Sequence, residues 1–307
     1  MLSSKTVARR PACWPVKMAA IGVLLSLPLL GACATTNVPA PVAQAPAQTV
    51  GSDMIAAAQA TLASGRASEA LDRFQQILSL DPQNGEAQLG LGEAHLALRH
   101  ADAAIEAFNA VVDRPELRSR ALQGRGLAAL AQGETGDAKA ALMDAVAADP
   151  QAWRAWNALG LIADGEAQWE DAEKAYRSAL ATTTSPALVH NNIGFSYLLQ
   201  KRYAPAAEAF RAALQIEPRF EAARNNLRLA LAWQGRYAEA IATATRENRP
   251  AILNNVGYIA MMRRDYGAAR SYLSQAMEQS PTYYATAAQN LLQLKAMTGE
   301  SDGPVQR

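Results

Sequence analysis

The sequence predicts an all-α solenoid, and three observations carry that prediction. First, residue types recur at a fixed spacing: Gly92, Gly126, Gly160 and Gly194 stand 34 apart, as do Ala104, Ala138, Ala172 and Ala206. Second, Phe74, Phe108, Leu142, Tyr176 and Phe210 repeat large apolar side chains at the same interval, and Pro82, Pro150 and Pro218 close alternate units. Third, the span between these marks is helix-forming and Ala-rich, with 50% hydrophobic residues and only two cysteines in 307. A helical hairpin this small cannot bury its apolar face alone, so copies must stack and share a core.

Each ladder has a packing role. Gly or Ala early in a unit (Ala58, Gly92, Gly126, Gly160, Gly194) lets its first helix, A, approach its second, B. Ala late in the unit (Ala70, Ala104, Ala138, Ala172, Ala206, Ala240, Ala269) is the small counterpart on B. The large apolar ladder fills the space between, and the prolines follow B, where a residue without an N–H ends a helix at little cost. A unit of this length, with early Gly, late Ala and aromatic, and terminal Pro, resembles the tetratricopeptide repeat, a helix–turn–helix that stacks into a solenoid.

In order, repeats are expected at 51–84, 85–118, 119–152, 153–186 and 187–220. A sixth begins at Glu221, with its helix B from Tyr237 through Ala244, and is about five residues short, because a seventh starts at Pro250. The seventh carries Gly257, Ala269, Leu273, Ala276 and Pro281 in register. A final helix from Tyr283 to Met297 caps the stack, giving about seven repeats plus a cap over 51–297 and a flexible tail over 298–307.

The N-terminus reads differently. Lys5, Arg9, Arg10 and Lys17 precede an apolar run from Met18 to Leu30, about thirteen residues, which suits a signal-peptide core better than a bilayer span. The run ends in Leu30-Gly31-Ala32-Cys33, which resembles a bacterial lipobox. That resemblance implies cleavage after residue 32 and lipidation of Cys33, with several acyl chains on one residue making a stable anchor. Ala34 in place of Asp implies, by the same family rule, sorting to the inner face of the outer membrane. Residues 33–50, rich in Ala and Pro and uncharged, are expected to form a tether in the periplasm.

Charge and chemistry exclude several function classes. The full chain carries 29 basic and 28 acidic residues; without residues 1–32 it has 25 against 28, a charge of −3. Nucleic acid as a partner would call for a basic stripe. His95 and His100 are five apart and do not share a helix face, and His190 is isolated, so no metal set is expected. No phosphate loop or nucleophile elbow occurs, so neither an enzyme, a cofactor nor a small-molecule substrate is expected.

A binding surface remains. In tetratricopeptide solenoids the A helices line a concave groove, and by that resemblance Asn157, Asn191, Asn225 and Asn254 point into it, with Asn192, Asn226 and Asn255 beside them. An Asn amide carries donor and acceptor and can pair with both backbone groups of an extended peptide. Packing within the fold is the competing role for these residues. Phe195, Leu229 and Tyr258 add apolar contact to the groove, with Trp233, Met261 and Met262 near them.

The segments NNIGFSYLLQKRYAPAAEAF (191–210) and NNVGYIAMMRRDYGAARSYLSQAMEQSPTYY (254–284) resemble the TadD lipoproteins of tight-adherence (Tad/Flp) pilus assembly. The resemblance implies a pilotin-like scaffold whose protein partner is a secretin or another secretion component. A pilotin of a type IV pilus or type II secretion system, or a general cell-envelope adaptor, stays open at this stage.

Overall fold

The computed structural model describes residues 48–280 and 284–299. The signal segment, Cys33 and nearly all of the tether lie outside the described residues, as do Pro281, Tyr283 and the tail beyond Gly299. Two compact units divide the chain after Ala148.

The first unit holds α1 (Gln48–Ala63), α2 (Ala67–Leu80), α3 (Gly85–Ala97), α4 (Ala101–Asn109), α5 (Arg118–Gln132) and α6 (Thr135–Ala148). The second holds α7 (Trp153–Gly165), α8 (Trp169–Thr182), α9 (Pro186–Leu199), α10 (Tyr203–Ile216), α11 (Glu221–Trp233), α12 (Tyr237–Ile241), α13 (Arg249–Met262), α14 (Tyr266–Glu278) and α15 (Ala285–Thr298). Odd-numbered helices are the A helices and even-numbered ones the B helices, with α15 as the cap. The described residues are all-helical, in hairpins of the expected register. No described helix is long and apolar enough to cross a membrane.

The ladders explain the packing. At Gly92 an added Cβ would stand 2.6 Å from the Phe108 ring, and at Gly194 it would stand 2.6 Å from the Phe210 ring. Any side chain there would push B away from A, so glycine is what allows the large residue to lie flat in the hairpin. Phe74, Phe108, Leu142, Tyr176, Phe210 and Leu273 are all buried to within a few per cent. At about 25 cal/mol per Å², burying each such side chain contributes on the order of 2–3 kcal/mol.

The A-to-B turns form a further ladder. Gly65, Arg99, Gly133, Ala167, Lys201, Gly235 and Arg264 all adopt positive φ, between 57° and 84°. The following residue then donates its N–H back to the carbonyl five before it, as Gln168 does to Ala163 (2.8 Å) and Arg202 to Tyr197 (2.8 Å). This closes the helix end in the Schellman manner. The rungs are 34 apart except the last, Gly235 to Arg264, which is 29, so the turn geometry carries the shortened sixth repeat.

Within each unit, successive A helices pack directly on one another (α1 on α3 on α5; α7 on α9 on α11 on α13 on α15), while each B helix packs on the A helices flanking it. The A helices therefore form the inner layer of each unit.

Two boundaries differ from the sequence expectation. α1 begins at Gln48, inside the segment read as tether, and α12 ends at Ile241 rather than continuing through Ala244. The second difference has a cause at residue 228. The glycine ladder's next rung after Gly194 is Arg228, and the apolar ladder's next rung after Phe210 is Ala244. With a guanidinium where the other rungs have Gly or Ala, and only Ala244 where they have a large apolar side chain, helix B stops after five residues.

Candidate functional site

The asparagines are brought together, but not as a row of free amides. Asn192 donates its Nδ2 to Asn157 Oδ1 at 2.9 Å, Asn226 to Asn191 Oδ1 at 3.0 Å, and Asn290 to Asn254 Oδ1 at 2.9 Å. Each bond joins one A helix to the next. Within a helix, Asn191 donates to Asn192 and Asn254 to Asn255, both at 3.4 Å. Asn157, Asn191, Asn192 and Asn254 are buried. Of the two roles the sequence left open for them, packing is the one these bonds serve: the four turn their amides toward the neighbouring helix, where a desolvated amide must find a partner. Asn226 and Asn255 are half-buried, and only Asn225 is exposed.

Asn225 stands outside the ladder because of the short sixth repeat. Its Oδ1 accepts from Arg228 Nη1 at 2.7 Å instead of from an Asn of the next helix. Arg228 Nη2 donates to the Thr243 carbonyl (3.1 Å) and Thr243 Oγ1 (3.0 Å). The guanidinium is buried, and its Nε has no hydrogen-bond partner. Burial, and then the neighbouring Arg224, hold its pKa below the usual arginine range. The signal for this arrangement was present in the sequence as the Gly-to-Arg change on one rung.

Leu229, Trp233, Tyr258 and Met262 pack against the core of the last repeats. Phe195 on α9, Leu229 on α11 and Tyr258 on α13 are half-buried, as are Trp233 and Met262, while Met261 is fully buried in the core of the last repeats. Trp233 stacks on Tyr203 with ring centroids 5.4 Å apart. Charge is partitioned by helix. α9 has no Asp, Glu, Lys or Arg, and α13 has only Arg249 at its start, whereas α8 alone carries Glu170, Asp171, Glu173, Lys174 and Arg177. Two inner-layer helices of the second unit, α9 and α13, are thus nearly free of charge, whereas α7 carries Arg154 and Asp164 and α11 carries Glu221, Arg224 and Arg228.

The first unit differs. There Arg120 on α5 bridges to Glu86 (3.0 Å) and Glu93 (3.7 Å) on α3, an exposed ion-paired patch.

His95 and His100 meet, contrary to the sequence reading: their rings are 5.7 Å apart, because the left-handed turn at Arg99 folds His100 back over the helix end. His95 Nδ1 is buried without a partner, and burial lowers its pKa. Among the described residues no three His, Cys, Asp or Glu side chains converge as a metal set would.

Sequence reasoning missed a buried polar cluster. Asp164 accepts from Tyr176 OH (2.7 Å) and from Ser196 Oγ (2.6 Å), and Ser196 Oγ accepts from Gln200 Nε2 (3.2 Å). Burial pushes the Asp164 carboxyl up, against the opposing effect of the two hydroxyls, and burial followed by Asp164 pushes Tyr176 well above the ordinary tyrosine value. Leu62, Leu96, Leu130 and Leu198 hold the same rung in four other repeats, with Ala232 after them, so the signal was a carboxylate on an apolar rung.

Comparison with known proteins fits this architecture. Residues 42–228 match the family model described as the Tetratricopeptide repeat protein 21 C-terminal ARM domain. No curated protein matches the sequence. Among solved structures, a thermophilic TPR protein from Thermus thermophilus is 23% identical, with a TM-score of 0.52 over 62% of this chain and 99% of that one. The C-terminal part of a TPR repeat-containing protein from Cytophaga hutchinsonii is 16% identical, with a TM-score of 0.53 over 77% and 99%. A tetratricopeptide repeat protein from Parabacteroides merdae is 14% identical, with a TM-score of 0.51 over 80% and 99%. At these identities the likeness is one of fold. Matched over more than half of its length and built of the same stacked hairpins, the chain is a TPR-like repeat protein and belongs to the family of the Tetratricopeptide repeat protein 21 C-terminal ARM domain.

Proposed function

We propose that this chain is a lipid-anchored scaffold of Tad/Flp-type pilus assembly. It sits at the inner face of the outer membrane, held by Cys33, and acts as a pilotin-like factor. The inner layer of its second unit captures an apolar segment of a secretin or another secretion component. The observation that supports the partner chemistry is the apolar row of Phe195, Leu229 and Tyr258 on α9, α11 and α13, of which α9 and α13 carry almost no charge. Such a row favours a partner segment that presents apolar side chains to it. The location and the system rest on Leu30-Gly31-Ala32-Cys33 and on the likeness of segments 191–210 and 254–284 to the pilus lipoproteins.

The test is co-purification from native membranes, wild type against Cys33→Ser. The proposal expects a secretin with the wild type, and loss of its multimers or of their outer-membrane location with the variant. Pili that assemble normally without the protein, with no secretin recovered, would remove the pilus reading and leave an adaptor role in the envelope.

A further inference from the structure

A cavity of about 310 Å³ opens between α8 and α9. Trp169, Glu170, Tyr176, Ser196, Tyr197 and Gln200 are among its lining residues. Its floor is where three ladders break at once: Asp164 on an apolar rung, Tyr176 as the hydroxylated member of the large apolar ladder, and Ser196 where other repeats have Ala94, Ala128 and Ala230. Burying a carboxylate without a cation is costly, and packing alone would be served by the residues found on the other rungs.

We propose that this cavity binds an alkylammonium group, the head of a lysine side chain or of a free primary amine. The direction of the protons decides the ligand class. An ionised carboxylate only accepts, so both the Tyr176 and Ser196 hydroxyls spend their single proton on Asp164. Each then has only lone pairs left, and Ser196 already accepts from Gln200 Nε2 at 3.2 Å with one of its own. Tyr176 and Ser196 are 2% and 5% exposed, so the cavity floor is formed by buried acceptors with an anion behind them. That floor matches a group that only donates and carries positive charge.

The walls agree. Glu170 is exposed at the rim and has no ion-pair partner among the described residues, whereas Arg177 is committed to Glu173 at 2.8 Å. Arg202 lies over the Tyr197 ring, 4.6 Å from its centroid, so one aromatic wall already holds a cation. Trp169 remains for the ligand, and an indole face is the strongest of the aromatic partners for a cation.

The experiment is a calorimetric titration of the full chain in detergent with Nα-acetyl-lysine N-methylamide and with n-butylammonium. The ε-acetylated lysine derivative, of similar shape but uncharged, is the control. The proposal expects saturable binding of at least one amine and none of the acetylated compound. Equal binding of both amines identifies a free amine as sufficient, and binding of the lysine derivative alone identifies a peptide source. Ser196→Ala is expected to weaken binding at least about tenfold. Glu170→Gln, at an exposed position that leaves the core intact, should weaken it several-fold and reads out the same site if Ser196→Ala does not fold. Absence of saturable amine binding, equal binding of the acetylated control, or folded variants that bind as the wild type does would overturn the proposal.

Discussion

Asn192 reaches back 35 residues to place its amide nitrogen 2.9 Å from Asn157 Oδ1, and Asn226 does the same to Asn191 one repeat later at 3.0 Å. The second unit is thus stitched along its A helices by side-chain bonds as well as by apolar packing. These bonds fix the rotation of each A helix, and with it which residues face outward from the inner layer. The amides set the stage for Phe195, Leu229 and Tyr258 without themselves being the contact surface.

Breaking one stitch leaves a buried amide unpaired. Asn157→Ala or Asn192→Ala is expected to destabilise the second unit by roughly 1–3 kcal/mol, and the double variant by clearly less than the sum. Urea denaturation of the four-member cycle measures the coupling. Additive losses would mean that the two side chains act separately.

Asp164 makes stability depend on pH in a defined direction. Its folded pKa is raised above the ordinary aspartate value, so the folded state binds this proton more tightly than the unfolded chain does. The contribution is fully present below the unfolded value and is lost as pH rises through the folded one. Asp164→Asn removes this dependence, so its stability relative to the wild type should improve over the range of pH above the ordinary aspartate value. Paired thermal melts across that range check it; a constant difference would mean that Asp164 titrates as an ordinary surface carboxylate.

The left-handed turns are an independent test of the repeat geometry. Ala167 and Lys201 hold φ of 57° and 59° where Gly65, Gly133 and Gly235 occupy the same rung. Ala167→Gly should stabilise by about 0.5–1 kcal/mol, the relief of left-handed strain outweighing the added chain entropy, and Gly133→Ala should cost a similar amount. Denaturation midpoints report both signs.

Arg228 anchors the irregular segment after α12 through Thr243. Arg228→Ala is expected to cost about 2–4 kcal/mol by leaving the Thr243 groups unpaired and a cavity beside them. Hydrogen exchange should show the loss of protection concentrated in α12 and α13, with the helices of the first unit unchanged. A uniform loss across the chain would contradict this local role.

The hairpins were legible because packing constrains them identically in every copy: Gly92 against Phe108 and Gly194 against Phe210 are the same contact, so they recur at the same interval. The end of α12 was not, since attention to matching rungs passed over the one that changed, Gly to Arg at 228. The burial of the asparagines was hidden for another reason. A fifth-position side chain lies at the boundary between the inner surface and the neighbouring helix, and a one-residue offset along the chain does not say to which side the amide turns. The Asp164, Tyr176 and Ser196 cluster draws on two repeats and three ladders, each departing by one residue, so only their meeting in space gave it meaning.

The most direct test of the scaffold account is site-specific photo-crosslinking in native membranes, with a photoreactive phenylalanine at Tyr258 on the inner layer and, separately, at Glu208 on the B-helix side. The account predicts a crosslink to a secretin or another secretion component from position 258, and none from 208. A partner captured from 208 alone, or one that co-purifies yet never crosslinks from 258, would contradict the assignment of the inner layer as the binding face.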